Sequence, residues 1–402
     1  MKSELVRRIV FTLGALLVFR LGSYIPLPGV ITSGSRFPGA GVVLDIRFSI
    51  FALWILPYLS AAILIQLLSM VSSKLSALAR SGEAGRRKIR RYTIGLAICL
   101  TAFQAYGLAS NLQGIPSLVN DPGGLFLLST TVTLTGGMIF LVWLSEQITM
   151  HGIGNGLALI LFAGVLAKMP GEIASMVELV RQGALSAERA SWLAVLWVVL
   201  VGLVVFVELA RHRVPVEFAS RKLGDRLLPA QSTQLSLKIN SAGLMPTVVA
   251  PWLYLLPLTV AGLVLDQTSP WLMAVYGLVP QTHMARVIIS SVAIIILAFI
   301  YTAFVVDPEH AAESLNKHGG VIPGVEPGEP TAEHLDRIVS YTTCIGAVYL
   351  AAVFLIPELL LAYGEAPFYL DGTTVLVVVC TVLDIETQVR GRSLTEPGGV
   401  FS

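Results

Sequence analysis

The stretch "EQITMHGIGNGLALILFAG", residues 146–164, begins polar, breaks at a cluster of glycines and then runs apolar. Gly152, Gly154 and Gly156, with Asn155 among them, interrupt a helix. Glycine gives up the most backbone freedom on ordering, and asparagine competes for backbone hydrogen bonds. The helix that follows is therefore predicted to begin late, near Leu157. Two readings of the break stay open. The residues alone fit a flexible turn with Asn155 as a helix cap. A glycine-broken apolar segment also fits a binding site at mid-membrane, as in secondary transporters.

The whole chain sets the context for that break. Its 402 residues are 55% hydrophobic and 13% charged, with a mean hydropathy of +0.77, whereas soluble domains are about 45–50% apolar. Repeated runs of about 20 apolar residues exclude a soluble protein with a large core. Such runs fall at 9–28, 48–70, 93–110, 124–148, 157–169, 191–209, 241–265, 285–306, 338–362 and 373–389. They predict an all-α polytopic membrane protein with ten transmembrane helices, the fifth shorter than the rest. The first run is interrupted by Arg20, ends in "YIPLPG" and has no small-residue cleavage site, so it is expected to stay as an anchor. Cys99, Cys344 and Cys380 are far apart within apolar runs, a pattern that suggests neither a disulfide framework nor a zinc site.

Basic residues give the orientation. With both termini in the cytosol, the connections at 1–8, 71–92, 149–156, 210–239 and 307–337 and the tail hold 20 of the 27 Lys and Arg, as the positive-inside bias requires. The connection "SKLSALARSGEAGRRKIRRYT" is strongly basic, which suits topology and contact with anionic lipids; ribosomal RNA is the sharper alternative. Residues 210–239 alternate at Val214, Val216 and Phe218 and carry Gly224-Asp225 at their middle. This predicts a basic β-hairpin closed by a type II′ turn, as a functional projection or a passive connector. A stiff, acidic hairpin is expected at 317–334, within a connection of seven acids and two bases.

Eight motifs now stand in order along the chain: "RLGSYIPLPGV", "SIFALWILPYLSAAILIQLL", "GEAGRRKIRRYT", "FQAYGLA", "EQITMHGIGNGLALILFAG", "AQSTQLSLKINSAGLMPTVVA", "GGVIPGVEPGEPTAEHLDRI" and "IPELL". Together they resemble the SecY family, the channel subunits of the bacterial protein translocase. The resemblance implies two pseudo-symmetric halves, 1–170 with segments 1–5 and 171–402 with segments 6–10, around an hourglass pore. It implies a protein-conducting channel of the inner membrane and not an enzyme, one that passes unfolded preproteins across and releases membrane segments sideways. The implied partners are SecE-like and SecG-like small membrane subunits, the SecA ATPase, the ribosome, preprotein signal sequences and anionic lipids. No cofactor is implied.

The same resemblance implies site residues. The aliphatic ring that closes the family's pore falls on Ile55, Leu59, Leu157, Leu161, Val248 and Val377. Such a ring makes an ion shed water without a replacement ligand, while its side chains can part around a polypeptide. The polar positions of the lateral gate fall on Ser60, Gln104 and Asn240, where interhelical hydrogen bonds are weak enough to be displaced. Pro246 and Pro251 would let the seventh segment bend. Partner-docking positions fall on Arg211, Arg213, Arg221, Lys222 and Arg226 of one cytosolic loop and on Pro323, Gly324, Glu326, Pro327 and Gly328 of the other.

The chain departs from the family in two places. The stretch "ITSGSRFPGAGVVLDIRF" after "IPLPGV" is short, so the plug helix is expected to be reduced or absent. The loop tip carries Glu326 where the pattern "PG-x-R-PG" has a base. These departures keep open a divergent accessory channel with few clients. A secondary transporter built on inverted repeats is the alternative of another class, and it would need paired mid-membrane charges of which the chain has few.

Overall fold

Backbone groups inside a membrane must pair within their own segment, and helices meet that demand. The computed structural model describes residues 2–31, 49–115, 118–218, 221–223, 226–228, 231–251, 282–364 and 372–394. Its helices are α1 (Lys2–Gly22), α2 (Leu56–Val71), α3 (Ser73–Arg80), α4 (Glu83–Gln113), α5 (Gly124–His151), α6 (Gly156–Arg181), α7 (Ala187–Leu209), α8 (His283–Val305), α9 (Pro308–Lys317), α10 (Glu329–Gly364) and α11 (Gly372–Leu394). Among the described residues seven helical stretches, those of α4 to α8, α10 and α11, are long and apolar enough to cross a membrane.

The other three expected segments fall short for local reasons. α1 is helical throughout but carries Arg7, Arg8 and Arg20. α2 begins at Leu56, with Pro57 in its first turn where the missing N–H is harmless, because 51–55 form a turn. The seventh segment is helical from 245 to 251, including Pro246 and Pro251, and its remainder lies outside the described residues. So does the expected plug region at 32–48.

The fifth segment is not short. α6 is 26 residues long and runs through Pro170. A proline inside a helix costs about 3 kcal/mol, yet α6 continues past it to Arg181.

The described residues fall into two compact units, one formed by those up to 168 with those from 381 on, the other by those between 169 and 380. In the first, α2 packs on α4, and α5 on α4 and α1. In the second, α8 packs on α10, and outside the apolar helices stands a small sheet built from both long connections.

That sheet contains the predicted hairpin. β1 (Arg211–Phe218) pairs antiparallel with β4 (Gln231–Lys238), and β2 (Arg221–Leu223) pairs with β3 (Arg226–Leu228); the turn at Gly224-Asp225 lies outside the described residues. Residues 317–334, by contrast, are not a hairpin. They give β5 (Gly320–Val321), a turn with Gly324 and Gly328 at φ +82° and +107°, and the start of α10 at Glu329, well before 338. β5 pairs not with its own neighbour but with β1, Glu217 opposite Val321 and Phe218 opposite Gly320, giving the order β4-β1-β5. Pro330 sits in the first turn of α10, where it does no harm.

The alternation of β1 explains the pairing. Val214 and Val216 turn to one face and are buried with Ala312 of α9, Ile322 and Leu335 of α10, with Phe218 and Leu237 against them. Asp307 caps α9 by accepting from the His310 N–H at 3.0 Å. Both connections thus share one core. Leu335→Ala should remove about 2–5 kcal/mol from it and raise hydrogen exchange in β1 and β5 together; faster exchange in one strand alone would show that the loops fold separately.

Candidate functional site

The break at 152–156 is more constrained than a flexible turn. The Ile153 N–H donates to Thr12 Oγ1 at 3.0 Å, Gly154 N–H to Gln388 Oε1 at 2.9 Å, and Gly156 N–H to Thr149 Oγ1 at 2.9 Å. Asn155 does cap α6, its Oδ1 accepting from Leu157 N–H at 3.0 Å. Gly154 has φ +88°, and a Cβ on Gly156 would collide with the Ser145 backbone. Side chains of α1, α5 and α11 thus claim the orphan amides of the glycine turn. The sequence could show the glycines but not Thr12 and Gln388, which are distant in the chain.

This pinned start fixes the first turns of α6, which carry Leu157 and Leu161 four residues apart and hence on one stripe. Ile55, just before α2, and Leu59 within it are spaced the same way. Ile55, Leu59 and Leu161 are buried, and Leu157 is half-buried. These four belong to one unit; Val248, near the start of the seventh segment, and Val377 of α11, both buried, belong to the other.

The expected gate positions differ in their bonding. Ser60 is buried and its hydroxyl donates to the Leu56 carbonyl at 3.1 Å. Gln104 is 5% exposed, and neither end of its amide has a hydrogen-bond partner among the described residues. Asn240 is fully engaged: its amide donates to Glu208 Oε1 at 2.6 Å and to the Gly243 carbonyl at 3.2 Å, while its oxygen accepts from Gly243 N–H at 3.0 Å. Glu208, at the end of α7, also accepts from the Tyr349 hydroxyl at 3.5 Å. Gly243 sits at φ +66°, so Asn240 staples the turn that starts the seventh segment. Glu208 and Tyr349 were not legible as its partners, because a lone acid at the end of an apolar run reads as a boundary residue.

Among the docking positions, Arg211 and Arg213 are exposed on β1, and the backbones of Arg221, Lys222 and Arg226 lie in β2 and β3. Pro323, Gly324, Glu326 and Pro327 are exposed on the tip beside β5, and Gly328 is half-buried. The tip is fixed by Thr331, whose hydroxyl donates to the Glu326 carbonyl at 2.7 Å. On α9 the Lys317 ammonium, 2.7 Å from Glu313, holds that carboxyl below the usual carboxylate range.

Apolar helices, aliphatic stripes beside a pinned helix break and a separate polar platform define a polytopic membrane protein. The SecY family model matches residues 49–386. Protein translocase subunit SecY of Escherichia coli (strain K12) is 40% identical over 407 residues, covering 96% of this chain and 91% of the relative. The SecY of Vibrio cholerae serotype O1 is 39% identical with the same coverage. A solved structure described as a protein conducting channel matches with a TM-score of 0.71 at 18% identity, over 99% of this chain and 95% of the other. Sec61 in the canine ribosome-channel complex matches at 0.67 and 17%, over 99% and 95%. The chain belongs to the SecY family.

The Asn240 staple is testable by itself. Asn240→Leu leaves the Gly243 amide without its acceptor and deprives Glu208 of its 2.6 Å donor, and should lower stability by about 1–3 kcal/mol. Glu208→Gln should cost less, since a neutral amide can still accept. Melting temperatures of the purified channel check the order of the two variants.

Proposed function

We propose that this chain is the channel-forming subunit of a protein translocase in the bacterial inner membrane, passing unfolded preproteins across it and releasing apolar segments sideways. The observation that carries this reading is the match to translocase SecY proteins along nearly the whole chain. In it, the halves 1–170 and 171–402 face one another across the pore. Ile55, Leu59, Leu157, Leu161, Val248 and Val377 form the constriction, and Ser60, Gln104 and Asn240 line the lateral gate. The unpartnered, buried amide of Gln104 supports the gate assignment, since a polar group held in this way gains a bond when a neighbour moves. Both termini are cytosolic in this orientation, as the distribution of Lys and Arg favours. SecE-like and SecG-like subunits complete the assembly, anionic lipids meet the basic connections, and SecA or a ribosome supplies the drive.

An ion crossing an aliphatic constriction loses hydration without compensation. Leu59→Ser together with Leu161→Ser should therefore raise the resting conductance of the reconstituted channel in planar bilayers by about tenfold or more, the effect of about 1.4 kcal/mol off the barrier. Unchanged conductance would remove these residues from the pore.

The docking platform is the shared sheet and its tip, where Glu326 adds to an acidic surface. Like charge at a rim slows encounter with a partner that has evolved to meet a base. The partner of this channel is accordingly either weakly coupled SecA or one with a complementary basic patch. Glu326→Arg in a reconstituted translocation assay with SecA and ATP should speed transport, with a gain that shrinks as salt rises. Equal rates at every ionic strength would show the tip charge to be irrelevant.

A further inference from the structure

Trp54 is the one non-glycine among the described residues with positive φ, at +52°. A bulky residue in that region is strained, and such a conformation persists only where its surroundings over-determine it. The surroundings here are two residues of α6. The indole lies against Gly164 so closely that a Cβ there would come within 2.6 Å of the ring. Lys168 places its ammonium 4.6 Å from the ring centroid, a cation–π contact.

The positions of these contacts matter more than their number. Leu157, Leu161, Gly164 and Lys168 are spaced four, three and four residues apart, so they follow one stripe of α6. Along it come two candidate constriction leucines, then a notch without a side chain, then a cation. Trp54 immediately precedes Ile55, which with Leu59 forms the second aliphatic pair. α2 packs chiefly on α4, and the turn before it meets α6 through the indole. Lys168 is the first charged residue of α6, about 18 Å along the helix from Gly156.

We propose that Trp54 and Lys168 are positioning residues that latch the two aliphatic pairs of the constriction to each other in the resting channel. Gly164 provides the seat for the indole and the ammonium closes over it, so the Ile55–Leu59 pair keeps a fixed separation from the Leu157–Leu161 pair. Parting the pairs for a polypeptide breaks the cation–π contact, which biases the channel to its closed state. The inference deepens the pore reading above and rests on it.

The test uses the reconstituted channel in planar bilayers. Trp54→Gly, which accepts the positive φ, and Lys168→Met, which keeps the length of the side chain, should each raise resting open occupancy about fivefold, the scale of one partly desolvated cation–π contact. The double variant should leak no more than either single one, and Lys168→Arg should behave as the parent. Melting temperatures of the four proteins should show the same non-additivity. Parent-like conductance in both single variants, or additive effects in the double one, overturns the latch. The Leu59→Ser, Leu161→Ser channel is run alongside. If it leaks while the latch variants do not, the latch fails and the pore reading stands. If it does not leak, the pore reading fails and the sealing role of the latch with it, whatever the melting data show of the contact.

Discussion

A backbone amide buried among packed side chains has no water to turn to and must find another partner. At residues 152–156 the helix stops and restarts with 152–154 buried, which leaves amides without helical partners. Thr12, Thr149, Asn155 and Gln388 take them instead. Two of these side chains come from the first and last described helices. The break is therefore a junction where α1, α5, α6 and α11 are held in register, and the position of Leu157 and Leu161 depends on it.

The same rule explains why Asn240, buried before the seventh segment, is occupied three times over. Asn240 also couples two elements. Its amide is committed to Glu208 and Gly243, so moving the seventh segment's start means disturbing the end of α7 as well.

The sequence disclosed the apolar helices because their periodless hydrophobic runs carry the signal, and it disclosed the β1–β4 hairpin because alternation at Val214, Val216 and Phe218 is local. The motifs singled out the aliphatic positions, though Leu or Val alone would read as membrane filler. What escaped notice is long-range: β5 joining β1 across just over a hundred residues, Gln388 reaching Gly154, Tyr349 reaching Glu208. The length of α6 was misread because the unbroken apolar run stops at Lys168, whereas the helix continues through Pro170 to Arg181. The backbone of Trp54 was invisible for another reason, since nothing in a one-dimensional string marks a tryptophan held at positive φ.

The three-stranded sheet has an implication for how the protein comes into being. β1 and β4 are adjacent in synthesis, but β5 follows roughly 80 residues after β4, beyond the seventh and eighth segments. The core of Val214 and Val216 stays uncovered until Ala312, Ile322 and Leu335 have left the ribosome. A nascent chain with fewer than eight segments inserted therefore presents an unfinished hairpin with an apolar face. Completion of the sheet is a built-in report that the helices between its strands have been threaded.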